Sequence, residues 1–356
     1  MEDSLPGKDL TMANSCWAWK PVAQDGLLAR AFHTCTAVKG KLYIYGGLKS
    51  VDPKQPPLGD VVTFDPEKRV AERVAVDSGH CRSHHATVLL GEHGLCISGG
   101  WDGGKRVSSV VSFDTERGQW DRWSEGPSND PPVGLSSHTC TKISDYELRI
   151  VGREGGLRTQ RRFASVYTLR VNANTKTYWY REEASRTASR SGHSAMLLQD
   201  RGKDGKSTGY KLVVFGGRES SELDIAGRWS KEKIHVETVY APKLIEQLSR
   251  LIGSKVASQD APKSLRHQSC TVVGPFAVVF GGETLARGRD AVCNDLYIHD
   301  NRESTGTWYR LPNPDPTQKR VGHQTCLLND ELYLVGGFGA DGKTPCAEIC
   351  ILDISL

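Results

Sequence analysis

Long apolar runs and methionine are scarce in this sequence. Only 3 of its 356 residues are methionine, and no run of 18 apolar residues occurs, so no membrane-spanning helix is predicted. The first eleven residues carry acidic side chains and no apolar core, which does not fit a secretion signal. The formal net charge is only +4, which argues against a general nucleic-acid binder, because such proteins carry a strongly basic face.

The ten cysteines lack the spacing of a metal site. Cys346 and Cys350 are the one close pair, and a zinc ribbon would need a second pair at matching spacing. Most cysteines lie inside apolar, strand-like runs, as in Leu95-Cys96-Ile97. We therefore expect reduced thiols packed as small hydrophobic side chains, no metal and no cofactor, and a location in the cytoplasm, with the nucleus as the alternative.

Glycine is abundant, at 37 residues, and much of it belongs to an internal repeat. Hydrophobic runs end in a glycine pair in five places, and a degenerate sixth copy, Leu148 to Arg153, keeps only the first glycine. The first glycines are Gly46, Gly99, Gly152, Gly216, Gly281 and Gly336. Their spacings of 53, 53, 64, 65 and 55 residues indicate a repeat architecture with six units.

Other residues recur in register with the glycines. A histidine precedes each pair: His33, His85, His138, His193, His267 and His323. An arginine lies three residues before four of them: Arg30, Arg82, Arg190 and Arg320. A polar loop and a further strand follow each pair, with the third strands predicted at residues 61–65, 110–114, 166–171, 234–240, 294–299 and 348–353. Tryptophans often come next: Trp120, Trp123, Trp179 and Trp308.

With these motifs the chain resembles the kelch-repeat family from about residue 15 to its C-terminus. The resemblance implies an all-β fold, a six-bladed kelch β-propeller in which each repeat is a four-stranded blade and the blades bury their faces against one another. We expect residues 1–14 to form a flexible tail and residues 15–356 to form a single domain. The histidines repeat at one structural position and are therefore expected to be scaffold rather than metal ligands.

Two irregularities lead to specific predictions. The last repeat ends without a fourth strand, and Trp17 and Trp19 alternate as a strand requires, so the N-terminal strand is predicted to complete the last blade beside residues 348–353.

In the fourth repeat, residues 200–209 lengthen a hairpin, and no tryptophan-bearing strand follows. Residues 242–253 instead show leucine and isoleucine at helical spacing, which predicts a short helical insertion packed on the outer edge of that blade; a partner-binding helix is the alternative.

The function predicted from these features is a non-catalytic protein–protein interaction scaffold. Two alternatives stay open. One is a substrate-recognition subunit of a cullin-type ubiquitin ligase, although the chain lacks a clear recruitment segment and the degenerate elongin-box-like stretch at 264–273 lies in a predicted strand. The other is an enzyme of the oxidase or isomerase type found among kelch propellers, although no asymmetric set of catalytic or copper-binding residues is evident.

The predicted binding surface is the propeller face that carries the loops after the glycine pairs. Its arginines are Arg30, Arg82, Arg153, Arg158, Arg161, Arg162, Arg190, Arg218, Arg266, Arg287, Arg289 and Arg320. Trp101 and Phe338 directly follow their glycine pairs and are expected to be exposed. Arginine and tryptophan often dominate binding hot spots, and guanidinium groups suit carboxylates. We therefore predict that an acidic or C-terminal peptide of a partner protein binds at Arg153, Arg158, Arg161, Arg162, Arg218, Trp101 and Phe338. The alternative for the repeated arginines is that they form structural pairs between blades. Nucleic acid, a membrane and a small-molecule substrate are not expected.

Overall fold

The computed structural model describes residues 16–76, 79–157, 161–218, 222–237, 239–284 and 291–355. Six mainly antiparallel sheets are arranged as the blades of a β-propeller, as the repeat predicts. The predicted tail at residues 1–14 lies outside the described residues. All ten cysteines are free thiols, as expected.

Among the described residues, five blades contain four or more strands and blade 4 contains three. Blade 1 contains β2 (Thr34–Val38), β3 (Lys41–Tyr45), β4 (Val61–Asp65) and β5 (Val70–Ala75), and blade 2 contains β6 (Ala86–Leu90), β7 (Gly94–Trp101), β8 (Arg106–Asp114) and β9 (Gln119–Arg122). Blade 3 contains β10 (Ser124–Glu125), β11 (Thr139–Lys142), β12 (Glu147–Gly155), β13 (Arg161–Asn172) and β14 (Thr177–Glu183), and blade 4 contains β15 (Ser194–Arg201), β16 (Ser207–Phe215) and β17 (Asp224–Trp229). Blade 5 contains β18 (Leu265–Arg266), β19 (Ser269–Val273), β20 (Phe276–Phe280), β21 (Glu283–Thr284), β22 (Leu296–Asp300) and β23 (Thr307–Leu311), and blade 6 contains β1 (Trp17–Gln24), β24 (Gln324–Leu328), β25 (Glu331–Val335) and β26 (Glu348–Ile354). The helical elements are α1 (Pro242–Ile252) and the 3₁₀ turns Gly26–Leu28, Lys231–Lys233 and Pro316–Gln318.

A closed ring of backbone hydrogen bonds surrounds the central axis. Each blade contributes one residue, whose N–H donates to the carbonyl of the equivalent residue in the preceding blade at 2.7–3.1 Å. All six have left-handed backbone conformations, with φ between 53° and 69°. The ring residues are Phe32, His84, Ser137, Gly192, His267 and Gly322. Since each residue is both donor and acceptor, the ring closes only when all six blades are in place.

The glycine pairs bring neighbouring blades into close contact. At Gly99, where φ is +64°, a Cβ atom would lie 2.6 Å from the carbonyl oxygen of Leu135 and 2.8 Å from the ring of His138, both in the next blade. The residue after the first glycine then donates its N–H across the interface, at 2.6–3.1 Å. These six bonds are Gly47 to Arg82, Gly100 to Leu135, Arg153 to Arg190, Gly217 to Leu265, Gly282 to Arg320 and Gly337 to Arg30. Only glycine fits the first position without displacing the neighbouring blade.

The histidines of the repeat, which lie three residues after the recurring arginine position, fill the interfaces between neighbouring blades. The Nε2 atom of His323 lies 2.9 Å from the carbonyl oxygen of Phe280 in the preceding blade. In blade 5 the sequence assignment is wrong by one residue, because Gln268 occupies this position and donates to Ser194 at 3.0 Å. His267 instead belongs to the axial ring.

The N-terminal strand completes the last blade, as predicted. Strand β1 pairs antiparallel with β26, so that Trp17 lies opposite Ile354 and Trp19 opposite Leu352. Both tryptophans are buried, and the Trp19 ring contacts Phe280 of blade 5 at a centroid distance of 5.1 Å. The first strand therefore joins the two ends of the chain and also packs on the neighbouring blade.

Blade 4 differs from the prediction in its third strand. None of the described residues within the predicted strand at 234–240 lies in a strand. The third strand is β17, which begins ten residues earlier and carries Gly227 and a bulge at Ala226. The apolar content of 234–240 suggested a strand, but this segment crosses the end of the blade, where the N–H of His235 donates to Ile143 of blade 3.

The predicted helix forms, but on other blades. The buried side chains of α1, including Leu244, Leu248 and Leu251, pack with residues of blades 5 and 6 rather than on the outer edge of blade 4. Ala241 provides no side-chain cap, and the carboxylate of Asp330 in blade 6 accepts the N–H groups of Lys243 and Leu244 at 3.0 and 2.9 Å. This carboxylate anchors the helix N-terminus to blade 6.

The closing strand provides the first test. Replacing Trp19 with alanine should lower the free energy of unfolding by about 3–5 kcal/mol, because the change leaves a cavity between blades 5 and 6. Urea denaturation followed by circular dichroism measures the effect. Val70→Ala, on the exposed outer strand of blade 1, serves as the control and should change stability by no more than about 0.5 kcal/mol. Equal effects of the two substitutions would contradict the role of β1.

The helix gives a second test. Leu248 is fully buried, so Leu248→Asp should destabilise the protein by several kcal/mol, since a carboxylate would be buried without a partner. Gln247→Asp, at the half-exposed neighbouring position, should have little effect. Thermal unfolding of the two variants makes the comparison, and a Leu248→Asp protein as stable as Gln247→Asp would show that the helix does not stabilise blades 5 and 6.

The interface histidines predict sensitivity to acid. Burial lowers the pKa of His33, His138, His193 and His323 from 6.5 to about 3. In the unfolded chain these groups take up protons below pH 6.5, whereas in the folded protein they do not. Their contribution to stability is therefore fully present above pH 6.5 and is lost as the pH falls from 6.5 towards 3.

The natural glutamine at position 268 suggests the matched variant His138→Gln. Between about pH 7.5 and about pH 5.5 this variant should lose about 1.4 kcal/mol less stability than the wild type, because one proton-binding group has been removed from the unfolded state. Urea titrations at both pH values provide the four free energies. Parallel losses in the two proteins would mean that His138 is not held neutral at the interface.

Candidate functional site

The strand order places one set of loops around one end of the axial channel. In four blades the second strand ends just before the first glycine of the repeat, and in blades 2 and 3 it continues a few residues past that glycine. In each blade the loop that follows leads to the third strand on the same face. We call this end of the propeller the glycine-pair face. Its loops differ between blades in length and composition, and such loops on a rigid scaffold are where binding residues concentrate.

The repeated arginines on this face are structural. Arg30 is fully buried and forms a two-point ion pair with Asp60, at 2.8 and 3.1 Å. Burial alone would raise the pKa of Asp60, but the bonds to Arg30 and Arg73 hold it below its ordinary value. The other three repeated arginines are also buried and donate to backbone carbonyls of their own blades: Arg82 to Gly99, Arg190 to Gly216 and Arg320 to Thr317. These four arginines therefore have structural roles, but the predicted pairing between blades is wrong, because each side chain bonds to its own blade.

Two predicted site residues are not exposed. Phe338 is only 1% exposed and packs with Ala31, Val292 and Val321 between blades. Arg153 is 7% exposed, because its guanidinium donates to the carbonyls of Val133 and Gly134 and lies 4.1 Å from the centre of the Phe163 ring. The expectation that these two side chains face a partner at the surface is wrong.

Three predicted arginines are accessible and lie along the edges of blades 3 and 4. Arg161 and Arg162 are exposed at the start of β13, and Arg218 is half-buried after the glycine pair of blade 4. Arg162 donates to the carbonyl of Gly217 at 3.2 Å, which brings it next to Arg218. No carboxylate of the described residues lies within 4 Å of these three guanidinium groups. Arg158, Arg287 and Arg289 lie outside the described residues.

Trp101 lies beside a cavity of about 470 Å³ on the same face. It is half-buried, and its backbone pairs with Ser83 in both directions, at 2.8 and 3.0 Å. The cavity lies between the loop of blade 1 that contains Val51 and Pro53 and residues of blades 2 and 3. This volume falls within the range of small ligand sites and side-chain pockets.

Sequence reasoning missed Arg106, a charged residue of this cavity's wall. The guanidinium of Arg106 lies 5.7 Å from the Trp101 ring and 3.3 Å from the carboxylate of Glu154. Glu154 is in turn the cross-strand partner of Arg162. Trp101, Arg106, Glu154, Arg162 and Arg218 thus form a continuous arc over blades 2, 3 and 4. The five-residue spacing of Trp101 and Arg106 across a hairpin could have indicated the first contact.

Aromatic side chains narrow the channel at the centre of the face. Phe32 stacks on His84 at 4.1 Å, and its edge contacts His267 at 4.9 Å. They line a small cavity of about 110 Å³. Burial, followed by the nearby Arg106, lowers the pKa of His84 to about 4, so this side chain is neutral near pH 7.

Within the described ranges, no group of three or more potential metal ligands converges. None of the helices in that part of the chain is long and apolar enough to cross a bilayer.

Comparisons with known proteins agree with the six-bladed kelch architecture. Residues 8–152 match the family model described as the KLHDC2/KLHL20/DRC7 Kelch-repeats domain. Kelch domain-containing protein 9 of Homo sapiens is 52% identical over 96% of this chain and 97% of its own length; the Mus musculus protein is 53% identical over 95% and 96%. Kelch domain-containing protein 3 of Homo sapiens is 25% identical over 75% of this chain and 66% of its own length. Because the similarity to kelch domain-containing protein 9 spans nearly the whole of both sequences, the chain belongs to the kelch-repeat family of β-propellers.

Proposed function

We propose that the protein is a non-catalytic scaffold that binds a carboxylate-bearing peptide of a partner protein on the glycine-pair face. The observation that carries the proposal is the group of accessible arginines, Arg161, Arg162 and Arg218, which have no carboxylate partner within the described residues. A binding partner with an acidic side chain or a free C-terminus would supply the missing charge.

The neighbouring cavity adds an apolar component to the site. Trp101 and Val51 present apolar surface within it, while Arg106 and Glu154 already neutralise each other at its wall. A peptide could therefore place an apolar side chain beside Trp101 and a carboxylate beside Arg162. Aromatic and arginine side chains supply much of the binding energy in such interfaces.

The rest of the face supports binding rather than chemistry. The interface histidines are buried and neutral, and their positions follow the repeat in five of the six blades. A catalytic site needs an activated group positioned beside a substrate, whereas the arc of arginines is built for electrostatic recognition. A scaffold function agrees with both features.

The test is affinity capture with the variant Arg161→Glu, Arg162→Glu, Arg218→Glu. Reversing three charges should reduce partner capture at least about tenfold, because a carboxylate ligand would then be repelled. Mass spectrometry compares the captured proteins, and free and C-terminally amidated forms of the recovered segment distinguish a C-terminal carboxylate from acidic side chains.

The matched control is Lys68→Glu, Lys203→Glu, Lys206→Glu. These three exposed lysines lie in turns at the opposite end of the blades, so this variant changes the net charge equally but leaves the arc intact. It should capture the partner as the wild type does. Unchanged capture by the arginine variant, or equal losses in both variants, would contradict the proposed site.

A further inference from the structure

Blade 4 is the one blade without an outer strand in the described part of the chain. Its sheet ends at β17, whereas the other sheets continue to a fourth strand. The described hydrogen bonds between the backbone of β17 and other backbone groups run to β16 alone. Its outer edge is therefore a row of backbone donors and acceptors in the position where every other blade binds a strand.

Side chains of the strand and its approach are exposed as a result. Leu223 and Ile225 are 41% and 46% exposed, whereas the third strands of blades 1 and 2 contain no exposed residue. Ile225 pairs with Val213, which packs against blade 5. Since directly opposite residues share one face of a sheet, the uncovered apolar surface faces blade 5.

The face of the blade 4 sheet that packs on blade 3 is already covered by side chains. Trp229 lies against Gly227, where a Cβ atom would come within 2.4 Å of the Trp229 ring. The guanidinium of Arg149 in blade 3 covers this ring at 4.9 Å and donates to the carbonyl of Ala226 at 3.1 Å. Trp229 therefore takes the interblade place that fourth-strand tryptophans hold elsewhere, and only the edge and the blade 5 side stay open.

The described residues that follow β17 do not return to cover the edge. The chain crosses to blade 3 at His235 and then forms α1 on blades 5 and 6. After the helix, the backbone of Ser258 pairs with Arg310 on the outer strand of blade 5. The segment that could have completed blade 4 instead extends its neighbour.

The same propeller shows how such an edge is filled. Blade 6 receives its outer strand from the opposite end of the chain, through antiparallel pairing of β1 with β26. The third and fourth strands of blades 1, 2, 3 and 5 are antiparallel as well. A strand added to β17 in the same manner would complete the pattern of the fold.

We propose that the outer edge of β17 binds an extended segment of a partner protein, which adds antiparallel as the fourth strand of blade 4. Lys231 and Lys233, just after β17, are exposed and form no ion pair within the described residues. The antiparallel direction places the N-terminal part of the segment beside these lysines. The segment therefore carries acidic residues first and β-branched or aromatic residues opposite Ile225 after them.

This surface lies on the rim of the propeller, apart from the glycine-pair face, and does not depend on the function proposed above. The probe is a fluorescein-labelled peptide, Asp-Glu-Glu-Thr-Val-Tyr-Ile-Thr, and binding to the full-length protein is followed by fluorescence anisotropy. Ile225→Lys should weaken binding roughly tenfold or more, because a lysine on a strand edge obstructs strand addition. Lys231→Glu with Lys233→Glu should weaken it as well, by charge reversal.

Two controls distinguish strand addition from nonspecific binding of the peptide. Val74→Lys changes a side chain of the same exposure, 45%, on the outer strand of blade 1 and should bind the peptide as the wild type does. A peptide with N-methylated Val and Ile cannot complete the hydrogen-bond ladder and should not bind. Hydrogen exchange should show slower exchange of the β17 amides only when the unmodified peptide is present.

The outcomes that would overturn the proposal are equally direct. Equal binding by Ile225→Lys and the wild type, or no binding of the peptide by the wild type, would exclude the edge as its site. A dimer that Ile225→Lys dissociates in sedimentation experiments would identify a second copy as the occupant. Slow exchange of the β17 amides in the peptide-free monomer would show that the chain itself fills the edge.

Discussion

The closed ring of six hydrogen bonds around the axis is the constraint on which the propeller depends. Each blade must present one residue in a left-handed conformation so that its N–H reaches one neighbour and its carbonyl the other. Buried backbone groups need partners, so a missing blade would leave a donor and an acceptor unpaired. Just outside the ring, each first glycine allows the next blade to approach, and a histidine, or Gln268, fills the interface.

This constraint explains why the binding face combines repeated and unique residues. The arginines that precede the ring residues are buried by the same approach of blades that closes the ring, so they hold the loops and do not contact solvent. The loops themselves are free to differ, and they bring Trp101, Arg162 and Arg218 from three blades into one arc. A rigid centre with variable loops also tolerates blade 4, which keeps its ring residue and its interface glycine although its described residues form no outer strand.

The repeat made the blade number, the closing strand and the helix predictable, because each rests on a local pattern: glycine spacing, the alternation of Trp17 and Trp19, and a helical leucine stripe. The burial of Arg153 and Phe338 was not predictable, because it depends on partners such as Val133 and Val321 that only the packing of blades brings near. Strand β17 was missed since Gly227 weakens its strand signal. His267 was wrongly assigned to the blade interface, because the sequence does not show which of two adjacent residues fills it. In the structure Gln268 fills the interface, whereas His267 belongs to the axial ring.

The central claim is that a partner's peptide lies on the glycine-pair face beside Trp101. Replacing Trp101 with the photoreactive amino acid benzoylphenylalanine, and Lys203 at the opposite end of blade 4 in a separate protein, tests this claim directly. Our account predicts that position 101 cross-links to an acidic or C-terminal segment of one partner, located by mass spectrometry, while position 203 does not. Cross-linking of the same partner from position 203 alone would place the interface elsewhere and contradict it.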